Sequence, residues 1–454
     1  MRTDPDQPAL EERFTPVDHD PLILTALLTD EVIQRRESGY DVDDFVRSAN
    51  RLETDDRDGI LALVDGMWEA PRREWSWEEP ESLDDIEASL VGGPPKSTAA
   101  DSVAHADRVH AAWLGRIAGC NLGKPVEWGD HWTVSHIADY LRRADAYPLT
   151  DYIPVLDPMP DEFDLNASWI HSTRGRVDGS ARDDDIDYAI LALHLLETHG
   201  AALTPTLVGD AWTEMFPLRQ VFTAERSAYI NLTNGIEAPL TARVRNPYRE
   251  WIGAQIRGDV FGYVHPGDPW SAASLAYRDA TLSHTANGVY GEMWAAALVA
   301  AAFTESDARS AVELSLGVVP PQSRLAAAIR FVIALRDEGL GWEAARARIA
   351  EEYGRYAWVH TINNAAVVTL GLLWGEGDFT TAVGRTVMSG LDTDSNGATV
   401  GSVAGILAGT AGLPERLVSP LHDRTRSALF GFDGSRISDL ASRTVAVRGS
   451  VTER

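Results

Sequence analysis

Cysteine is almost missing from this 454-residue chain. Cys120 stands alone, so no internal disulfide can form and a reducing compartment is expected. Basic residues are also in short supply: 40 Lys and Arg face 68 Asp and Glu, a formal net charge of -28. A field of that sign repels phosphate backbones and anionic membrane surfaces, which argues against a general nucleic-acid binder and is compatible with capture of divalent cations. Taken one by one, most of these carboxylates read as a contribution to solubility. The opening segment, MRTDPDQPALEERF, has neither a basic stretch nor an apolar one, so no secretory signal is expected. Long runs of bulky apolar residues are lacking too. The segment that most invites a membrane reading, Gly397 to Gly412, is built of small residues and carries Thr399, Ser402 and Thr410; it reads as buried helix. These absences together predict a cytoplasmic protein with no membrane or nucleic-acid partner; a monomer is expected, though nothing in the sequence fixes the oligomeric state.

Alternating β-branched runs bounded by turns are equally scarce, which leaves a Rossmann fold or a barrel without strands to build from. Helical patterns fill the space. HADRVHAAWLGRIAGCNLG, DIDYAILALHLLETHG, GEMWAAALVAAAF, SRLAAAIRFVIALRDEG and NNAAVVTLGLLWGEG have helical or all-round apolar spacing, and several close on Gly. The fold class is all-α. Residues 1–100 read as a helical N-terminal extension without evident chemistry: two helical patterns, a Trp- and Glu-rich stretch (MWEAPRREWSWEEPESLDD) and a turn-rich connection, VGGPPKST. Residues 101–454 read as the main body, interrupted by irregular insertions at 130–182 and around NPYREWIGAQIRGDVFGYVHPGDPW.

Two acidic clusters stand out. Asp183, Asp184 and Asp185, followed by Asp187, open a helix that is apolar on nearly every side. Carboxylates at a helix N-terminus gain from its free N–H groups and dipole, and such an end with solvated neighbours is the plain alternative. Three adjacent acids leading into a buried helix still repel one another, and a hard divalent cation with oxygen ligands relieves that repulsion. The second cluster is Asp392-Thr393-Asp394-Ser395-Asn396, just before a run in which Gly397, Gly401, Gly405 and Gly409 recur every four residues. Four glycines on one stripe predict a second backbone packed close against it. Gly115, Gly119 and Gly123 repeat the spacing earlier in the chain, so two such helices would set acidic ends against one site.

Other motifs are excluded. DTDSNG begins like an EF-hand loop, but position twelve is Val403 rather than Glu; the first cluster fails likewise, with Tyr188 and His194 at the Gly and Glu positions. LGKP is not a P-loop, because Ala118 and Pro125 occupy required Gly and Ser/Thr positions. The histidines are scattered and read as structural or substrate-contacting residues rather than ligands.

GRIAGCNLGKPVE, ARDDDIDYAILAL and LDTDSNGATVGSVAGILAG, in that order, resemble the three signature segments of the ADP-ribosylglycohydrolases, over roughly residues 101–415. The resemblance implies a compact multi-helix orthogonal bundle with a dinuclear Mg²⁺ or Mn²⁺ site. It places metal ligands at Asp183, Asp184, Asp185, Asp392, Asp394 and Ser395, with Glu127 as the acid that closes the first motif. Asn287 and Gly288, in HTANGVYGEM, fall where relatives carry a nucleotide-binding loop. Glu127, Asp184 and Asp394 are the implied catalytic set, with Glu127 as acid, base or positioning group. Two metal ions would orient the ribose hydroxyls and a water for attack on a ribosyl glycosidic bond. Asp187 is expected to support the site or face solvent. Cys120 and Asn121 depart from the Asp-Ala pair of many relatives, and Ile186 from a common Thr, marking a divergent subfamily. The implied partner is an ADP-ribosylated protein or an ADP-ribose derivative. The rival readings are another small ribosyl compound or nucleoside, a non-catalytic ADP-ribose binder and a structural protein of crystallin type.

Overall fold

The computed structural model describes residues 19–98, 100, 102–129 and 131–452; the opening residues read above for a signal lie outside them. Among the described residues there is no strand, and extended pairing is limited to isolated bridges such as Ser180 with Thr425. The protein is all-α. One continuous apolar core reaches from Ile86 to Val451, and a smaller cluster between Leu27 and Ala70 belongs to the N-terminal helices.

The helices nearest the site are α1 (Ser102–Gly123), α2 (Asp184–His199), α3 (Ala286–Ala302), α4 (Thr361–Leu373) and α5 (Thr393–Ala408). Every residue of α4, and every residue of α3 beyond its first, is buried, as a helix apolar on all sides must be. α1 and α5 run antiparallel in direct backbone contact. A Cβ at Gly115 would strike the Gly401 carbonyl, one at Gly119 the Gly397 carbonyl, and one at Gly123 the Thr393 carbonyl. The glycine stripes therefore meet as their spacing predicts. Gly409 is the exception. At φ +65° it ends α5, its N–H bonding back to Gly405 O at 2.9 Å, so it serves as a cap rather than a contact. Because the pair is antiparallel, the C-terminus of α1 lies beside the N-terminus of α5. Thr393 Oγ1 seals that corner by donating to Gly123 O at 2.9 Å.

The segment around NPYREWIGAQIRGDVFGYVHPGDPW differs from the sequence expectation. Residues 246–265 are almost wholly buried, and Asp259–Val264 is helical. Irregular backbone survives there because polar side chains satisfy it: Arg249 Nη1 donates to Asn246 O at 2.8 Å, Arg257 Nη1 to Gly253 O at 3.2 Å, and Arg116 to Ile256 O. The 130–182 stretch does run mostly as loop, carrying helices Val134–Arg143 and Trp169–Ser172.

Residues 19–90 lie against the main body through buried ion pairs. Gln34 and Ser38 donate to Glu250 Oε1 at 3.0 and 2.8 Å, Arg249 pairs with Glu31, and Arg324 spans Glu79 and Glu250 at 2.8 and 2.6 Å.

Candidate functional site

Three chain segments converge where α1 ends and α2 and α5 begin. Asp183 is the N-cap of α2, its Oδ1 accepting from Asp185 N–H at 2.9 Å. Asp392 is the N-cap of α5, with no capping bond from its own side chain. Both acid sets thus sit at positive helix ends. Donor atoms of Cys120, Asp183, Asp185 and Asp394 lie within 4.8 Å of one another, as do those of Glu127, Asp392 and Asp394. Asp394 belongs to both groups. Ser395 Oγ donates to Asp185 Oδ2 at 3.1 Å, linking the clusters directly. Glu127 and Asp184 are half-buried and form the open side; Asn166 Nδ2 donates to Glu127 Oε2 at 3.3 Å.

So many carboxylates cannot all ionise in one buried place. Burial first, and then the neighbouring Asp183, push Asp184 up to about 7. Burial and repulsion from Asp183 and Asp394 hold Asp185 well above the carboxylate range. Asp392 and Glu127 are raised well above it by burial and by Asp394, and Asp394 is raised by burial and by Asp183. Asp183 is the exception: burial opposes its ionisation, but the Lys124 ammonium bonded to it outweighs burial and lowers its pKa. One oxygen, Asp392 Oδ1, is buried with no hydrogen-bond partner. A buried carboxyl oxygen without a hydrogen-bond partner is one that a cation coordinated there would satisfy.

Asp183, Asp185, Asp392, Asp394, Ser395 and Glu127 therefore come together; Asp184 lies beside them, within electrostatic reach of Asp183 and Asp394, but in neither ligand group. Asp187 does not join them. It is buried rather than solvated, and its carboxylate faces Arg182 Nε at 2.7 Å and Ser427 Oγ at 2.6 Å. Asn287 and Gly288 are also committed elsewhere. The Asn287 amide donates to Glu79 and Glu250 and accepts from Leu325 N–H at 3.0 Å, and a Cβ on Gly288 would press on Arg249 O. Both polar atoms of the Asn287 side chain are thus engaged within the protein.

Several residues that shape the site escaped the sequence reading. Arg116, fully buried, donates to Asp185 O through Nε and Nη2 at 3.1 and 2.7 Å and pairs with Asp259 at 2.8 Å. Asn121 holds the approach to Asp183: its Nδ2 donates to Ser180 Oγ at 2.7 Å and its Oδ1 accepts from Ala181 N–H at 3.2 Å. The Asn364 amide oxygen accepts from Asp392 N–H and Asn396 Nδ2. Lys124 stands among the acids themselves. A usable signal existed for it, because Lys96 and Lys124 are the only lysines in the sequence.

No helix among the described residues is long and apolar enough to cross a membrane. No curated protein matches the chain. A solved structure described as an ADP-ribosylglycohydrolase-related protein complex is similar at 20% identity and a TM-score of 0.44, over 77% of this chain and all of that one. The ADP-ribosylglycohydrolase family model matches residues 101–453. With that match running through all three of the converging segments and over most of its length, the chain belongs to the ADP-ribosylglycohydrolase family.

Proposed function

We propose that this protein is a metal-dependent hydrolase that cleaves the ribosyl glycosidic bond of an ADP-ribosylated protein or an ADP-ribose derivative. Family membership supports a glycosylhydrolase-type activity. The observation that carries the metal requirement is the pair of buried ligand groups sharing Asp394, together with the partnerless Asp392 Oδ1. Asp183, Asp184, Asp185, Asp392, Asp394 and Ser395 would hold two divalent ions, Mg²⁺ or Mn²⁺, hard cations suited to oxygen donors. When bound, such ions supply charge neutralisation and orient the ribose hydroxyls.

The remaining chemistry falls to the chain. Glu127 lies on the open side, where burial and then Asp394 raise its pKa; its carboxyl is placed to give a proton to the leaving group as the bond to the anomeric carbon breaks and to take one from the attacking water. Asn166 orients that carboxyl through Oε2. The surrounding carboxylates favour the positive charge that develops at the anomeric carbon. A cleft of about 820 Å³ runs beside Ala181 and Arg182, offering room for part of the substrate; its Arg424 and Arg426 are paired with Asp178 and Asp433 on the same lining. Residues 1–100 act in this reading as an extension bracing a catalytic body of 101–454. The commitment of Asn287 to Glu79 and Glu250 favours a second substrate class, a small ribosyl compound that needs no nucleotide contact from that loop.

The test is release of ADP-ribose, or of the aglycone, from a panel of ADP-ribosylated proteins and small ribosides in Mg²⁺, Mn²⁺ or EDTA, with Asp394→Ala as control. Metal-dependent turnover lost in the variant supports the hydrolase, and the panel names the substrate. Metal binding without turnover on any substrate points to a sensor. No metal binding sinks the reading.

A further inference from the structure

The acidic centre already contains a cation of its own. Lys124 follows directly on the C-terminus of α1, and its Nζ bonds to Asp183 Oδ2 and lies 3.6 Å from both Asp394 Oδ2 and Glu127 Oε2. Its partners come from all three converging segments, and two of them, Asp183 and Asp394, share one ligand group. The side chain is 14% exposed, so it reaches the acids from the open side. Residue choice fits the position. Lys96 and Lys124 are the only lysines among 40 basic residues. An ammonium is a compact point charge on a flexible stem, whereas a guanidinium is a broad, planar fork. The flexible stem lets a single positive charge sit among three carboxylates and also leave them.

We infer that Lys124 is a built-in competitor for the divalent ions: its ammonium bridges Asp183, Asp394 and Glu127 in the metal-free protein and is displaced from Asp183 when an ion binds there. The inference rests on the proposed metal site. It follows from geometry and charge, because a divalent ion bound by the same Asp183 and Asp394 oxygens would meet the ammonium at close range, where like charges repel strongly. The displaced ammonium swings toward the open side, next to Glu127. Lys124 is thus a positioning residue with two effects: it stabilises the empty site and weakens its hold on metal.

Calorimetric titration of the full chain and of Lys124→Met with MgCl₂ or MnCl₂, with thermal melts in EDTA, tests this. The expected result is at least about tenfold tighter binding of the first ion by the variant, since removing one nearby positive charge removes the repulsion, with a lower Tm in EDTA and a larger rise on adding metal. Equal or weaker binding by Lys124→Met, with normal binding by the wild-type chain, overturns this inference alone. No binding by either protein overturns the metal reading along with it. If the variant does not fold in EDTA, the wild-type chain decides the matter. With lysine labelled at ¹³Cε, only two side chains report, and Mg²⁺ must shift the Lys124 signal while leaving Lys96 in place; a stationary Lys124 signal at saturating Mg²⁺ overturns the inference.

Discussion

Ser395 Oγ donates to Asp185 Oδ2 at 3.1 Å across 210 residues of sequence. This bond ties the two acidic clusters together. Ser395→Ala removes the donor and leaves a buried carboxylate oxygen with less support. The variant is expected to fold and to lose about tenfold in metal affinity, within the usual range for a group that orients ligands. Calorimetry against the wild-type chain measures it.

Asp394 belongs to both ligand groups, so its loss should disable both. Asp394→Asn is expected to reduce metal affinity by about 100-fold or more and to abolish turnover. Asp187→Asn provides the contrast, because Asp187 faces Arg182 and Ser427; metal affinity should stay close to wild type while Tm falls. Equal losses of metal in both variants would contradict the assignment.

Glu127 is expected to act mainly on the proton. Glu127→Gln should lower kcat by about 10² to 10⁴-fold, the range of a general acid or base, and, because Glu127 shares one ligand group with Asp392 and Asp394, weaken metal binding by less than Asp394→Asn does. The assay is kcat alongside calorimetry, and a variant that turns over normally would remove Glu127 from the chemistry.

The excess of buried acid makes the metal-free protein sensitive to alkali. Asp184 titrates at about 7 in the folded chain against about 4 when unfolded, so between those values the folded state binds more protons. Stability from this group is therefore full below about pH 4 and lost as pH rises through 7. Asp185, Asp392 and Glu127 are shifted in the same direction. Glu225 at about 7 and Glu37 at about 8 behave likewise, but they lie outside the ligand groups. Melts in EDTA should show Tm falling from pH 5 to pH 8. Mg²⁺ or Mn²⁺ should remove only the part due to the site, and metal binding should release protons.

The contact of α1 with α5 leaves no room for a methyl group at Gly119 or Gly401. Gly119→Ala should cost about 1–3 kcal/mol through overpacking despite the better helix propensity of alanine. A guanidinium melt reads the cost, and reduced metal affinity would accompany it because α5 carries Asp392 and Asp394.

Much of this architecture can be read from residue spacing. Apolar periodicity places the helices, and four-residue glycine repeats announce the close pair, because nothing else fills a helix face with hydrogen. Adjacent aspartates at helix starts mark the site. What spacing hides is where a side chain turns. Asn287 sits at the start of a helix in a glycine-containing segment, yet Glu79, from a stretch with no regular structure, captures it. Spacing left Asp187 either supporting the site or facing solvent, and only the folded chain shows it held by Arg182 and Ser427. Lys124 resembled a fragment of an unrelated motif, and only the folding of three distant segments around it reveals its neighbours.

The joining of α1 to α5 also bears on how the chain is made. Residues 120–127 and 183–185 leave the ribosome long before Asp392 is synthesised, and no contact within the early part can complete the site. The α1 glycine face stays bare during that interval, a groove shaped for a helix that does not yet exist. The acidic site is therefore completed late in biosynthesis, and a chain truncated before α5 would carry its first acids without Asp392 and Asp394.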